Sequence, residues 1–139
     1  MNTNNSNKNK LVSPTQVAWA SLSGGPAAGF WFIAKNFEAF NKEKKRKDAL
    51  FFSLLSFVLL LLSLPLNIPF AIYPIYTILM RIIMDKWQGK EYKRKLAAGC
   101  DKISTWYVTG ISIIFFLSTM AAMFLFYFGI KYFFGWKMF

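Results

Sequence analysis

The chain contains no histidine, a single cysteine and only six acidic residues. One thiol cannot form an intramolecular disulfide, and without histidine the common Cys and His metal sites cannot be built. No metal or cofactor is therefore expected. The six carboxylates (Glu38, Glu43, Asp48, Asp85, Glu91 and Asp101) all stand in or beside stretches rich in lysine and arginine. Local pairing accounts for them better than proton transfer does: Glu38 with Lys42 and Glu91 with Lys95 have the spacing of helical ion pairs. A catalytic site needs a nucleophile and an acid or base of tuned pKa in a cleft. No catalytic residue is assigned and no enzymatic activity is expected. Cys100 falls on an apolar helical face and is read as a small hydrophobe.

The N-terminal stretch is not expected to act as a secretion signal either. Ala18-Trp19-Ala20 has the look of a cleavage site, but Leu11 to Val17 is too short and too polar to serve as its apolar region. Residues 1–12, rich in asparagine, are expected to form a disordered polar tail, leaving 13–139 as one helical domain.

What the chain does have is apolar sequence: 55% hydrophobic residues, with 16 phenylalanines, gathered into long runs that the 17 lysines and arginines avoid. Runs of this kind predict an all-α, polytopic transmembrane bundle. Four spans are expected, over about 14–34, 49–66, 68–84 and 106–130, the alternative being three spans plus a re-entrant N-terminal helix. The net charge of +11 would suggest nucleic acid in a soluble protein. Here the cations lie between apolar runs, so the expected partners are the lipid bilayer and its anionic headgroups, and no nucleic acid. Lys44, Lys45, Arg46, Lys47, Lys93, Arg94 and Lys95 are assigned to headgroups and topology. Arg81, the only ionisable residue within a run, is expected to snorkel to the same surface.

The first segment is the weakest span and the most informative. Ser13-Pro14-Thr15-Gln16 is a capping box with proline at the first helical position. Beyond it run two rows of small residues, Ala20, Gly24, Ala28 and Ser21, Gly25, Gly29, which predict close helix packing. Pro26 removes one helical hydrogen bond and predicts a kink or break near Gly24-Gly25. In the third run, Pro74 predicts another kink. Pro65 and Pro69 predict a tight turn around Asn67. The loop 85–105 predicts a short amphipathic surface helix that ends at Gly89 and Gly99, and Tyr127, Tyr132 and Trp136 an aromatic belt at the far end of the last run.

With four spans, the loops 35–48 and 85–105 are cytoplasmic and both termini lie outside. If the first segment dips in and returns, the tail joins the cytoplasmic side, which then holds 15 of the 17 cations. The four-span form is the main expectation, because Phe30 to Ala34 gives the first segment a strongly apolar end and packed transmembrane helices tolerate glycine and proline.

Ser13-Pro14-Thr15-Gln16, Gly24-Gly25-Pro26, Lys35-Asn36-Phe37 and the later Trp106, Gly110 and Ser112 together resemble a family of small, uncharacterised bacterial integral membrane proteins. The resemblance covers most of the chain. It implies a bacterial cytoplasmic (inner) membrane location and carries no activity, ligand or catalytic residue.

Three functions fit these features. The first is a non-enzymatic accessory subunit or assembly factor that packs against other membrane proteins or itself. The second is an immunity protein against a membrane-active toxin. The third is a small oligomeric transporter, which the lack of any carboxylate within the runs disfavours.

Overall fold

Four helices make up the fold of the computed structural model, which describes residues 10–63 and 72–134. They are α1 (Pro14–Ala39), α2 (Glu43–Ser63), α3 (Ile72–Ala97) and α4 (Thr105–Phe134). Two short strands, β1 (Lys10–Leu11) and β2 (Asp101–Lys102), pair in parallel with Lys10 opposite Asp101. The capping box forms as its spacing predicts: Gln16 N–H donates to Ser13 Oγ at 3.2 Å and Ser13 N–H donates to Gln16 Oε1 at 2.9 Å.

Helix α1 is broken at Gly25, whose backbone (φ 78°, ψ 173°) is not helical. The break is a reversal. Val12 and Asn36 flank the two ends of α1 and would stand roughly 36 Å apart along a straight helix, yet Val12 N–H donates to Asn36 Oδ1 at 2.8 Å and Asn36 Nδ2 donates back to the Val12 carbonyl at 2.8 Å. A Cβ built on Gly29 would lie 2.0 Å from Ser21 Oγ, eight residues back along the chain. The arms 14–24 and 26–39 therefore run antiparallel as a helical hairpin, and Pro26 stands at the first position of the second arm, where its missing N–H costs nothing.

The hairpin is the hub of the molecule. It packs against α2, α3 and α4, which touch one another very little among the described residues. Its own residues supply most of the core, including Val17, Ala20, Phe32, Ile33 and Phe37, with Met80 and Met84 from α3 and Val108 from α4. The expected crossing by 14–34 is thus corrected, because a helix that returns to its starting end cannot traverse. Among the described residues only α4, over Thr105–Gly129, is long and apolar enough to cross a membrane by itself. A four-span bundle is accordingly not supported, whereas the all-α fold stands.

Other boundaries move with it. Leu11 and Val12 are buried and β-paired or hydrogen-bonded, so the tail before the first helix is ordered from Lys10. Helix α2 begins at Glu43 and takes the Lys44-Lys45-Arg46-Lys47 run into its first turns. Helix α3 continues through Gly89 to Ala97, so the separate surface helix expected in 85–105 is the end of α3. Gly89 has ordinary space around it and breaks nothing, whereas Gly99 (φ 88°) ends α3 with its N–H bonded to the Leu96 carbonyl and Cys100 N–H to that of Lys95. Asn41 (φ 56°) closes the second hairpin arm in the same way, before α2. Pro74 lies in the first turn described for α3; Phe70, whose carbonyl it would free, and the turn at Pro65 and Pro69 lie outside the described residues.

Candidate functional site

The two small-residue rows meet at the hairpin tip, and each neighbouring helix uses them. Ala20, Ser21, Gly24, Gly25, Pro26, Ala28 and Gly29 are all buried. From α4, the Ser112 carbonyl and Phe115 Cβ approach Gly24 so closely that a Cβ there would lie 2.8 Å from that oxygen. Met80 of α3 lies against Gly29, and Ser53 of α2 donates to the Ala27 carbonyl at 2.8 Å. Small side chains allow three backbones to close on one point and gain dispersion contacts. The rows therefore meet helices of this same chain and are not free to receive a partner.

At the other end of the hairpin a buried polar latch holds the arms together. Asn36 is fully buried and, besides its two bonds to Val12, donates to Gln88 Oε1 at 3.0 Å. Gln88, itself 1% exposed, donates to the Ile33 carbonyl at 2.7 Å. Gln16 carries the tie onward, donating to the Ile103 carbonyl at 2.8 Å and to Thr105 Oγ1 at 3.3 Å, while Ile103 N–H donates to the Leu11 carbonyl at 2.9 Å. The segment before α1, both arms, α3 and the start of α4 are thereby fastened at one level. Fully satisfied networks of this kind select one geometry over its near alternatives.

Nothing in helical periodicity singles out Asn36 or Gln88 as buried. The one available signal is an aromatic residue directly beside each amide, Phe37 for Asn36 and Trp87 for Gln88.

The cationic residues collect at the latch end. Lys44, Lys45, Lys47, Lys93 and Arg94 are exposed there, with Arg46 and Lys95 half-buried. Ion pairs form, but neither Glu38–Lys42 nor Glu91–Lys95 is among them: Glu38 pairs with Lys35 at 3.2 Å, Glu43 with Arg46 at 3.1 Å, and Glu91 with both Lys42 and Arg94. The bond from Lys42 to Glu91 joins the start of α2 to α3. Arg81 is exposed one residue past Met80, level with the hairpin tip.

Tyr92 is the one buried side chain among the described residues whose polar atom has no partner. Burial pushes its hydroxyl pKa above the ordinary 10.0. Among the described residues no three His, Cys, Asp or Glu side chains converge. No protein-family model matches the chain, and neither does any curated protein or solved structure.

Proposed function

We propose that this is a non-enzymatic multi-pass membrane protein, with three spans around a re-entrant hairpin, that serves as an accessory subunit or assembly factor by packing against other membrane proteins. The hairpin enters from the basic side, which is cytoplasmic on the positive-inside rule. Its tip is level with Ser53 and Ser112, four residues past Ala49 and six past Trp106, where the apolar runs of α2 and α4 begin. The tip thus reaches roughly 6–10 Å into a hydrocarbon core of about 30 Å. Every described lysine and arginine except Lys131 lies on the cytoplasmic side or within snorkelling reach of it. A bacterial inner membrane follows from the resemblance given above.

One observation carries the partner. Among the described residues α2, α3 and α4 make few contacts with one another, and their far halves are apolar and exposed: Leu54 and Leu59 in α2, Ile75 and Ile78 in α3, Leu117 and Leu125 in α4. The hairpin consumes the packing capacity of the cytoplasmic halves only. The far halves are left open for helices of another protein, and in α4 the small residues Ser118, Ala121 and Ala122 let such a helix come close.

Photo-crosslinking residues placed one at a time at Leu59, Ile78 and Leu117, followed by purification in mild detergent and mass spectrometry, test this. One discrete protein adduct shared by two or more positions is expected. Adducts to lipid alone at all three would retire the accessory role. A reporter fused at Met1 tests the topology, with a cytoplasmic signal expected and a periplasmic one excluding the re-entrant arrangement.

A further inference from the structure

On the cytoplasmic side a cleft of about 440 Å³ opens between α2 and α3, floored by Phe37 of the hairpin and lined by Lys45, Asp48, Phe51, Phe52 and Trp87. Its aromatic wall is continuous: the Trp87 ring centre lies 5.8 Å from Phe52 and 6.4 Å from Phe37, and Phe51 lies 6.0 Å from Phe52. Two opposite charges sit on this wall one helical turn apart without pairing. Lys45 Nζ lies over the Phe37 ring at 5.9 Å from its centre. Glu38, Glu43 and Glu91 each hold a cation, whereas the Asp48 carboxylate makes no hydrogen bond or ion pair among the described residues.

The position of the cleft narrows the choice of occupant. It lies where α2 passes from its charged first turns to the apolar run that starts at Ala49, which is headgroup depth in the arrangement proposed above. An occupant at that depth meets a cation suited to phosphate, a free carboxylate and aromatic faces suited to an ammonium. Anionic lipid without an amine would satisfy Lys45 and be repelled by Asp48. We propose that the cleft binds the headgroup of an aminophospholipid, with its phosphate at Lys45 and its ammonium between Asp48 and the ring of Trp87. The acyl chains then descend along Phe51 and Leu55, both exposed on α2.

The test uses the full chain purified in neutral detergent and titrated with dioleoyl phosphatidylethanolamine or dioleoyl phosphatidylglycerol, bound lipid being counted by native mass spectrometry. Retention of the ethanolamine lipid about tenfold above the glycerol lipid is expected. Asp48→Asn should abolish that preference, Lys45→Gln should weaken retention of both lipids, and Lys93→Gln should change neither. All three side chains are exposed, so circular dichroism should be unaltered. Equal retention of the two lipids, or a preference that survives Asp48→Asn, overturns the proposal.

The inference rests on membrane embedding, and the two fail separately. A chain released from membranes by alkaline carbonate fails both, whereas one that stays in the membrane and shows no ethanolamine preference fails the headgroup site alone.

Discussion

Val12 and Asn36 exchange two hydrogen bonds of 2.8 Å across the closed end of a helix that has turned back on itself. The Asn36 amide meets the Val12 N–H and carbonyl together, and its second N–H reaches Gln88. Asn36→Ala would orphan buried groups on both Val12 and Gln88, at an expected cost of about 2–4 kcal/mol. Thermal unfolding in detergent measures this. Hydrogen exchange should also show residues 10–12 losing protection while the far half of α4 is unaffected. A change under about 0.5 kcal/mol, the usual size of a surface effect, would mean that the latch does not hold the hairpin.

The antiparallel arms give a sharper test. Gly29→Ala forces a methyl into Ser21 Oγ, with Met80 Cε 2.8 Å away, and should destabilise by about 1–3 kcal/mol. Ser21→Gly takes away the obstructing hydroxymethyl. The pair should therefore be coupled by about 1 kcal/mol or more in a double-mutant cycle, which cancels the intrinsic cost of a helical glycine. In a straight helix these positions would be roughly 12 Å apart and additive. Additivity would rule out the reversal.

Much of this was legible in the residues and some was not, for a definite reason. The capped start at Ser13, the close-packing rows and the interruption at Gly24-Gly25-Pro26 follow from local chemistry. Bend and reversal, however, share one signature there. They differ only in the φ of Gly25, which no side chain announces, and in a bond between residues 24 positions apart. Charge leaned toward the reversal, because the returning hairpin puts more of the cations on one side; the apolar run Phe30 to Ala34 argued for a crossing. That run is apolar because α2, α3 and α4 cover it. Likewise the Lys93-Arg94-Lys95 turn looked like a separate surface helix only because the continuity of α3 through Gly89 depends on the absence of any local breaker stronger than one glycine.

Adjacent glycines at the tip should fail in different ways. A Cβ on Gly25 would meet no atom within 4 Å, so Gly25→Ala is penalised by its backbone conformation alone (φ 78°, ψ 173°), one open essentially to glycine only, at about 1–3 kcal/mol. Gly25→Asn should be penalised alike, since ψ 173° lies far from the left-handed helical region that asparagine tolerates. Gly24 is helical, and its Cβ would lie 2.8 Å from the Ser112 carbonyl in α4. A backbone atom cannot swing aside, so Gly24→Ala should push α4 away, and the larger Gly24→Asn should push it further. Cysteine crosslinking between Lys10 and Asp101, paired across β1 and β2, in a Cys100→Ser background reports whether the base stays closed in each variant. Rescue by asparagine at Gly25, or a Gly24→Asn no worse than Gly24→Ala, would contradict the geometry of the tip.

Tyr92 makes a prediction in pH. Its hydroxyl is buried without a partner, and burial raises its pKa above 10.0. Above pH 10 a tyrosine in the unfolded chain gives up its proton while the buried one retains it, so the unfolded state binds fewer protons and gains relative to the folded state. Stability that is intact below pH 10 is therefore lost as the pH climbs through the raised folded value. Tyr92→Phe abolishes this titration and also removes an unsatisfied polar atom, so the variant should be more stable by roughly 1 kcal/mol at neutral pH, with the gap widening above pH 10. Melting curves at pH 8 and pH 11 measure both effects, because the remaining tyrosines and lysines titrate alike in the two proteins. A gap that narrows with rising pH would place a hydrogen-bond donor or a cation beside the Tyr92 oxygen, stabilising the phenolate, and reverse the sign of its contribution.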